Sequence, residues 1–163
     1  GDGMRTICVS IFLYLACATT SVAEPLVKVV NFTADWCPNC QILNPRLDEA
    51  ISAFPGEEIV RVDLDVTQIR RGSSALEKAT VETRLLQKAD THKVAYLWNW
   101  YGGITGLAVA VAADTGEPIG CFMRPMSADD IAKRLNLAKI LAEKAKPGTR
   151  QPKRWNCPEP LRS

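Results

Sequence analysis

Two cysteines separated by two residues, Cys37 and Cys40, are the side chains of this sequence whose type and spacing could do chemistry. They lie in the segment NFTADWCPNCQILNP, residues 31–45, directly after a short run of apolar residues. Such a pair can exchange electrons with another pair of thiols, supply half of a metal site, or form a structural disulfide. These three chemistries make different demands on the rest of the chain.

A metal site and a structural disulfide are the weaker alternatives. Zinc needs four ligands, usually two such pairs or one pair with histidines, whereas the chain has one Cys-x-x-Cys and a single histidine, His92. Cys121 and Cys157 could complete a four-cysteine set, but the first lies in an expected strand and the second near the chain end. A structural disulfide of this short spacing would restrain little of the unfolded chain. We therefore expect neither a metal nor a cofactor.

The position of the pair favours redox chemistry. The apolar run before it predicts a strand, and apolar residues at spacings of three and four after it predict a helix that begins at the cysteines. Cys37 would then lie at the helix N-terminus, where free amides and the helix dipole stabilise a thiolate. Cys40, one turn further on the same face, could attack the resulting mixed disulfide. Pro38 is tolerated in the first turn because its missing N–H would have had no partner.

The hydrophobic pattern also predicts the elements that position this pair. Periodicity and turn residues predict strands at 26–32 and 58–66, and a hairpin with strands ending at Ala112 and Met123. Three helices are also predicted. The first runs from the cysteines to Pro55, the second from a capping box at Ser74 to about Ala89, and the third begins after its cap, Ser127. Residues 93–103 are either a strand or a loop. Pro118 indicates that the second hairpin strand begins late or lies at a sheet edge. This order predicts an α/β domain, a central mixed sheet flanked by helices.

The segment FTADWCPNC, followed by Pro45 five residues after the second cysteine, resembles the active-site signature of the thioredoxin superfamily. It looks most like the C-terminal thioredoxin-like domain of thiol:disulfide interchange proteins of the DsbD type. The resemblance implies a thioredoxin fold in which Cys37 is the nucleophile, Cys40 is the resolving thiol and Trp36 shields the site. Pro38 and Asn39, between the cysteines, would tune the redox potential.

Two positions depart from the pattern of that superfamily. Thioredoxins keep a buried acid in the strand before the motif, where this chain has Asn31. They also place a cis-proline before the hairpin, and matching the hairpin puts Leu107, preceded by Gly106, at that position. The segment between Asp65 and Leu107 is also longer than the superfamily usually has. These departures predict an oxidoreductase with an altered substrate groove or a weakened activity.

Both ends of the chain have a distinct composition. Residues 1–23 contain an apolar centre, 7–18, and end in Ser21-Val22-Ala23. This pattern is typical of a signal peptide or, if uncleaved, of a membrane anchor. Residues 24–143 are then the thioredoxin-like domain. Residues 144–163 carry six basic residues and five of proline and glycine, which predicts a basic, disordered tail. The formal net charge of +2 is too small to indicate a nucleic-acid partner.

Together these features predict an exported thiol:disulfide oxidoreductase that acts in the periplasm or another extracytoplasmic compartment. Its expected partners are protein thiols and disulfides and a membrane electron donor, with the N-terminus as a possible membrane tether. One alternative is a binding module that recognises a partner through Trp98, Trp100 and Tyr101, its cysteines being vestigial. Another is a metal-handling protein that uses the Cys-x-x-Cys pair. We also predict that Cys121 and Cys157 pair with each other.

Overall fold

The computed structural model describes residues 23–151 and 156–162. The elements in chain order are β1 (Val27–Thr33), α1 (Pro38–Ser52), β2 (Ile59–Asp65), α2 (Ala75–Thr91), α3 (Ala95–Tyr101), β3 (Leu107–Ala112), β4 (Pro118–Met123) and α4 (Ala128–Lys144). The predicted signal peptide or membrane anchor falls on residues outside the described part, apart from Ala23. No helix of the described residues has the length and hydropathy needed to cross a membrane.

The strands form one four-stranded sheet in the order β2-β1-β3-β4. β1 runs parallel to β2 and antiparallel to β3, and β3 runs antiparallel to β4. The sheet is therefore mixed, as predicted. Because β1 and β2 are parallel, their carboxyl ends meet at the same edge, and the segment with the two cysteines follows β1 at that edge.

Helices cover both faces of this sheet and bury its two central strands. α1 and α4 pack on one face, where β3 contributes alanines and β1 contributes Val27 and Val29. α2 and α3 cover the other face, where β3 contributes Val109 and Val111. Alternate residues of β3 thus serve opposite faces, and the small alanines leave room for two helices on theirs. The architecture is the α/β thioredoxin fold that was expected.

Most predicted elements are confirmed within one or two residues at most boundaries. The capping box at Ser74 is present in full, since its hydroxyl accepts from the Glu77 amide while the Glu77 carboxylate accepts from the Ser74 amide. Pro118 begins β4 at the sheet edge, as expected. The segment before Gly102 is neither a strand nor a loop but the short helix α3. Its aromatic residues have strand propensity, and their packing against the core overrides it.

The C-terminal segment differs from the disordered tail that its composition indicated. Cys157 forms a disulfide with Cys121 of β4, the pairing that was predicted. The Tyr101 hydroxyl donates to the Pro158 carbonyl at 2.8 Å, and the Leu161 amide donates to the Trp100 carbonyl at 2.9 Å. A covalent link and specific hydrogen bonds hold the described tail residues on the domain, and composition alone does not reveal such attachments.

A buried arginine makes a second attachment of this tail. Arg150 is 4% exposed, and its guanidinium donates two hydrogen bonds to the Asp114 carboxylate in the β3–β4 turn. Glu117 lies 3.3 Å away as a second acidic partner. The hydrogen bond from Arg150 holds the pKa of Asp114 below its usual value. A lowered carboxyl pKa contributes stability above the usual pKa of Asp, and this contribution is lost as the pH falls through the folded-state value.

We therefore expect Arg150→Met to lower the free energy of unfolding by about 1–2 kcal/mol at pH 7, a modest value because Asp114 itself is largely exposed. The loss should shrink near pH 3, where Asp114 is protonated more fully and less of the pair remains to be broken. Urea unfolding at both pH values measures this difference. Arg162→Met, at an exposed position of the same segment, is the matched control. An equal loss at both pH values would contradict the electrostatic explanation.

Candidate active site

The two cysteines lie at the beginning of α1. Cys37 is the N-cap residue and Pro38 is the first helical residue. The Cys40 amide donates to the Cys37 sulfur at 3.1 Å, and the two side chains form a disulfide. The amide and the helix dipole therefore point at the Cys37 sulfur, where they would stabilise negative charge once the disulfide is reduced. The prediction that the helix begins at this pair is confirmed.

The disulfide lies on an apolar cluster and is recessed from the surface. Cys37 is 3% exposed and Cys40 is 1% exposed. Val81 and Leu85 of α2 pack in the same cluster, with Trp98 of α3 at its margin. The residues that flank the disulfide at the surface are exposed, namely Asp35, Trp36, Pro38 and Asn39. A partner thiol must therefore approach between these side chains.

Thr67, just beyond β2, holds the residues in front of the cysteines. Its hydroxyl accepts from the Asp35 amide at 2.9 Å, and its carbonyl accepts from the Trp36 indole N–H at 3.3 Å. Arg70 adds an ion pair with Asp35 at 3.0 Å. Thr67 and Arg70 were not among the predicted site residues. The signal that could have found Thr67 is topological, because the carboxyl ends of two adjacent parallel strands share an edge.

The loop before β3 reaches the cysteines through Gly106, which has a positive φ of 81°. A Cβ atom at this glycine would lie 2.7 Å from the Cβ of Asn39 and 3.7 Å from the Cys37 sulfur. Leu107, the residue predicted to replace the cis-proline, is buried with the aromatic side chains of α3 in the cluster on the α2 and α3 face. No peptide bond of the described residues is cis. The close approach of the backbone to the site therefore occurs at Gly106.

Asn31 occupies the position where a buried acid was expected from the superfamily, and it is fully buried. Its amide group donates to Asn44 of α1 at 3.0 Å and to Asp63 of β2 at 2.8 Å. Its side-chain oxygen has no hydrogen-bond partner among the described residues. The carboxylate in this network therefore belongs to Asp63, which accepts from the Asn31 side chain and is paired with Asn31 across the two parallel strands.

The aromatic residues of the alternative binding surface are used in packing. Trp98 stacks on Phe32 with ring centroids 6.4 Å apart, and Tyr101 is buried against the same ring. Trp100 packs edge-on against Tyr96 at 4.9 Å. Within the described part of the chain, no three histidine, cysteine or acidic residues cluster closely enough to hold a metal ion.

Comparison with known proteins gives one matching family model, described as Thioredoxin, over residues 19–96. Thioredoxin H8 of Arabidopsis thaliana is 42% identical over 38 residues, which is 23% of this chain and 26% of the relative. Thioredoxin H-type of Oryza sativa subsp. indica is 38% identical over 39 residues, which is 24% of this chain and 32% of the relative. The matches thus span about a quarter to a third of these curated relatives.

Two solved structures are also similar. A thiol:disulfide interchange protein of the thioredoxin family from Chlorobium tepidum TLS is 19% identical with a TM-score of 0.45, over 70% of this chain and 80% of that one. StoA from Bacillus subtilis is 15% identical with a TM-score of 0.43, over 69% and 84% of the two chains.

The matched residues 19–96 include β1, α1, β2 and α2, and so the strand, the two cysteines and the helix that positions them. The four-stranded mixed sheet, with the Cys37–Cys40 disulfide at the N-terminus of α1, is the arrangement that this match implies. The described residues therefore adopt the thioredoxin fold, and the part that carries the two cysteines matches the Thioredoxin family model.

Proposed function

We propose that this protein is an exported thiol:disulfide oxidoreductase that exchanges the Cys37–Cys40 pair with thiols and disulfides of client proteins. One observation carries the proposal, namely that the Cys37 sulfur is the N-cap of α1 and accepts the Cys40 amide at 3.1 Å. This is the position that favours a thiolate over a thiol. Trp36, Pro38 and Asn39, next to Cys37 in the chain, are exposed.

In the reducing direction, the Cys37 thiolate attacks one sulfur of a client disulfide. A Cys37–client disulfide forms, and the second client sulfur leaves as a thiolate that takes up a proton. Cys40 then loses its proton and attacks the Cys37 sulfur, which releases the first client sulfur as a thiolate. Two electrons have moved from the protein to the client, and the protein is left with the Cys37–Cys40 disulfide. An external dithiol must then reduce this disulfide, and the oxidising direction is the reverse sequence.

An oxidising compartment is supported by the second disulfide. Cys121 and Cys157 pair away from the candidate active site, in a place where the bond attaches the tail to β4. Disulfides of this structural kind persist mainly in exported proteins. Together with the apolar segment before residue 24, this favours an extracytoplasmic location, periplasmic in a bacterium. A membrane electron donor is the dithiol source that we propose for this location.

The proposal is tested by equilibrating the protein with mixtures of reduced and oxidised glutathione and mapping the alkylated peptides by mass spectrometry. We expect a reversible two-electron transition of the Cys37–Cys40 pair. A midpoint potential of about −270 mV would indicate a reductase, and one of about −120 mV would indicate a disulfide donor. Cys37→Ser should fail to reduce a protein disulfide such as that of insulin. If wild-type protein exchanges disulfides with neither the redox buffer nor insulin, the cysteines are vestigial or metal ligands, and the proposed function is wrong.

A further inference from the structure

A second surface feature borders the candidate active site through Trp36. It is an open depression of about 580 Å³ lined by Trp36, Ile69, Arg70, Arg71 and Lys78, and we call it the Trp36 pocket. Trp36 precedes the cysteine nucleophile directly in the chain. A client segment that lies in the pocket would therefore continue towards the disulfide.

Hydrogen bonds hold three of the residues that line the Trp36 pocket. The Trp36 indole donates to the Thr67 carbonyl at 3.3 Å. The Ile69 amide donates to the Val66 carbonyl at 2.8 Å, and the Arg70 amide donates to the Ser73 hydroxyl at 2.9 Å. Because these bonds order the loop between β2 and α2, the pocket is formed before a partner arrives, and binding needs little ordering.

The lining of the pocket combines apolar side chains with unbalanced positive charge. Trp36 is 43% exposed and presents its ring to the pocket beside the half-buried Ile69. Arg70 is paired with Asp35, but neither Arg71 nor Lys78 has an ion pair with a described residue. The carboxylate of Glu77, next to Lys78, is used in capping α2. Two exposed cations therefore remain available to a partner carboxylate beside an aromatic surface.

We infer that the Trp36 pocket docks the segment next to the reactive cysteine of a client protein and favours clients with an acidic side chain there. The inference rests on the proposed function and names the class of client that it would prefer. Carboxylates pair with Arg71 and Lys78, and an apolar neighbour of the client cysteine covers Trp36 and Ile69. Exposed ion pairs are weak individually and are screened by salt, so the preference is moderate and depends on ionic strength.

The test uses two peptides that carry one cysteine as a mixed disulfide with 2-thiopyridine and differ only in having glutamate or glutamine residues beside it. The reduced full chain attacks this disulfide, and the released thiopyridone reports the rate constant. At low salt we expect the glutamate peptide to react about fivefold faster. This ratio should fall towards one in about 0.5 M salt, where screening is strong.

The variant Arg71→Gln with Lys78→Gln should abolish the preference, and a circular dichroism spectrum like that of wild type would show that the variant is folded. Lys144→Gln with Lys146→Gln removes the same charge at the end of α4, away from the cysteines, and should keep the preference. If wild type and both double variants prefer the glutamate peptide equally, or none prefers it, the docking inference is wrong and the redox function stands. If neither peptide reacts faster with wild type than with Cys37→Ser, the redox function itself fails.

Discussion

Cys40→Ala protein should accumulate mixed disulfides with a disulfide-containing client, whereas Cys37→Ala protein should form none. The reason lies in the two positions at the start of α1. The Cys37 sulfur accepts the Cys40 backbone amide, and this bond does not depend on the Cys40 side chain. Attack by Cys37 is therefore kept in Cys40→Ala, but no second thiol remains to release the client.

We expect reduced Cys37 to have a pKa below the value of about 8.5 for a free thiol, so that it alkylates faster than an unpaired surface cysteine at neutral pH. Loss of this nucleophile should lower turnover of a protein disulfide at least about 1,000-fold. Non-reducing electrophoresis after incubation with insulin that keeps its disulfides measures the trapped complex. Dithiothreitol should cleave this complex by reducing the mixed disulfide.

The double variant Cys37→Ala with Cys40→Ala controls for reaction of the other cysteines of the chain, and it should trap as little as Cys37→Ala alone. Wild-type protein should show the complex only transiently, because Cys40 resolves it. If Cys40→Ala and the double variant trap the same amount of insulin, Cys37 is not the nucleophile, and the assigned order of the two thiols is wrong.

The resolving step has less chemical support than the attack. Cys40 is 1% exposed, and its sulfur lies 3.9 Å from the Phe32 carbonyl, a contact that takes up no proton from the thiol. Asn31, at the position of the expected buried acid, is neutral, and the carboxylate that it contacts is Asp63 of the neighbouring strand. We therefore expect resolution to be slower than attack, which would lengthen the life of the mixed disulfide.

Local signals predicted the elements that hold the cysteines because those signals are strong there. The apolar run of β1, the proline after Cys37 and the capping box at Ser74 each determine the backbone within a few residues. The short helix α3 was not predictable in this way. Its side chains Leu97 and Tyr101 are apolar or aromatic in any conformation, and their packing against β1 and β3 decides the backbone.

The parts of the candidate site that the sequence did not reveal depend on contacts between distant segments. Thr67 supports Trp36 from the end of another strand, and Asn31 contacts Asp63 across 32 residues of chain. The attachment of the tail depends on Arg150, whose basic character alone indicated a solvated segment. Composition describes what a segment can do in isolation, whereas these residues act through partners that only the topology brings close.

Gly106 is the position where a small change should damage both stability and activity. Its φ of 81° is disfavoured for alanine, which costs about 1–2 kcal/mol. In addition, the new Cβ would lie 2.7 Å from the Cβ of Asn39, an atom fixed to the helix backbone that cannot swing aside. Overpacking of this kind costs about 1–3 kcal/mol more. We expect Gly106→Ala to lower the free energy of unfolding by about 2–5 kcal/mol in total.

Gly103 offers the matched control, because it also has a positive φ, 108°, but nothing lies within 4 Å of a Cβ placed there. Gly103→Ala should therefore show the backbone cost without the clash. Urea unfolding of both variants separates these two contributions.

Relief of the clash in Gly106→Ala would displace Asn39 and the N-cap cysteine, and a misplacement of about 1 Å is enough to cost about 100-fold in rate. Attack by Cys37 on a pyridyl disulfide should accordingly slow at least tenfold in Gly106→Ala and remain near wild type in Gly103→Ala. Equal losses of stability and rate in the two variants would show that the approach of Gly106 to the cysteines has no special role.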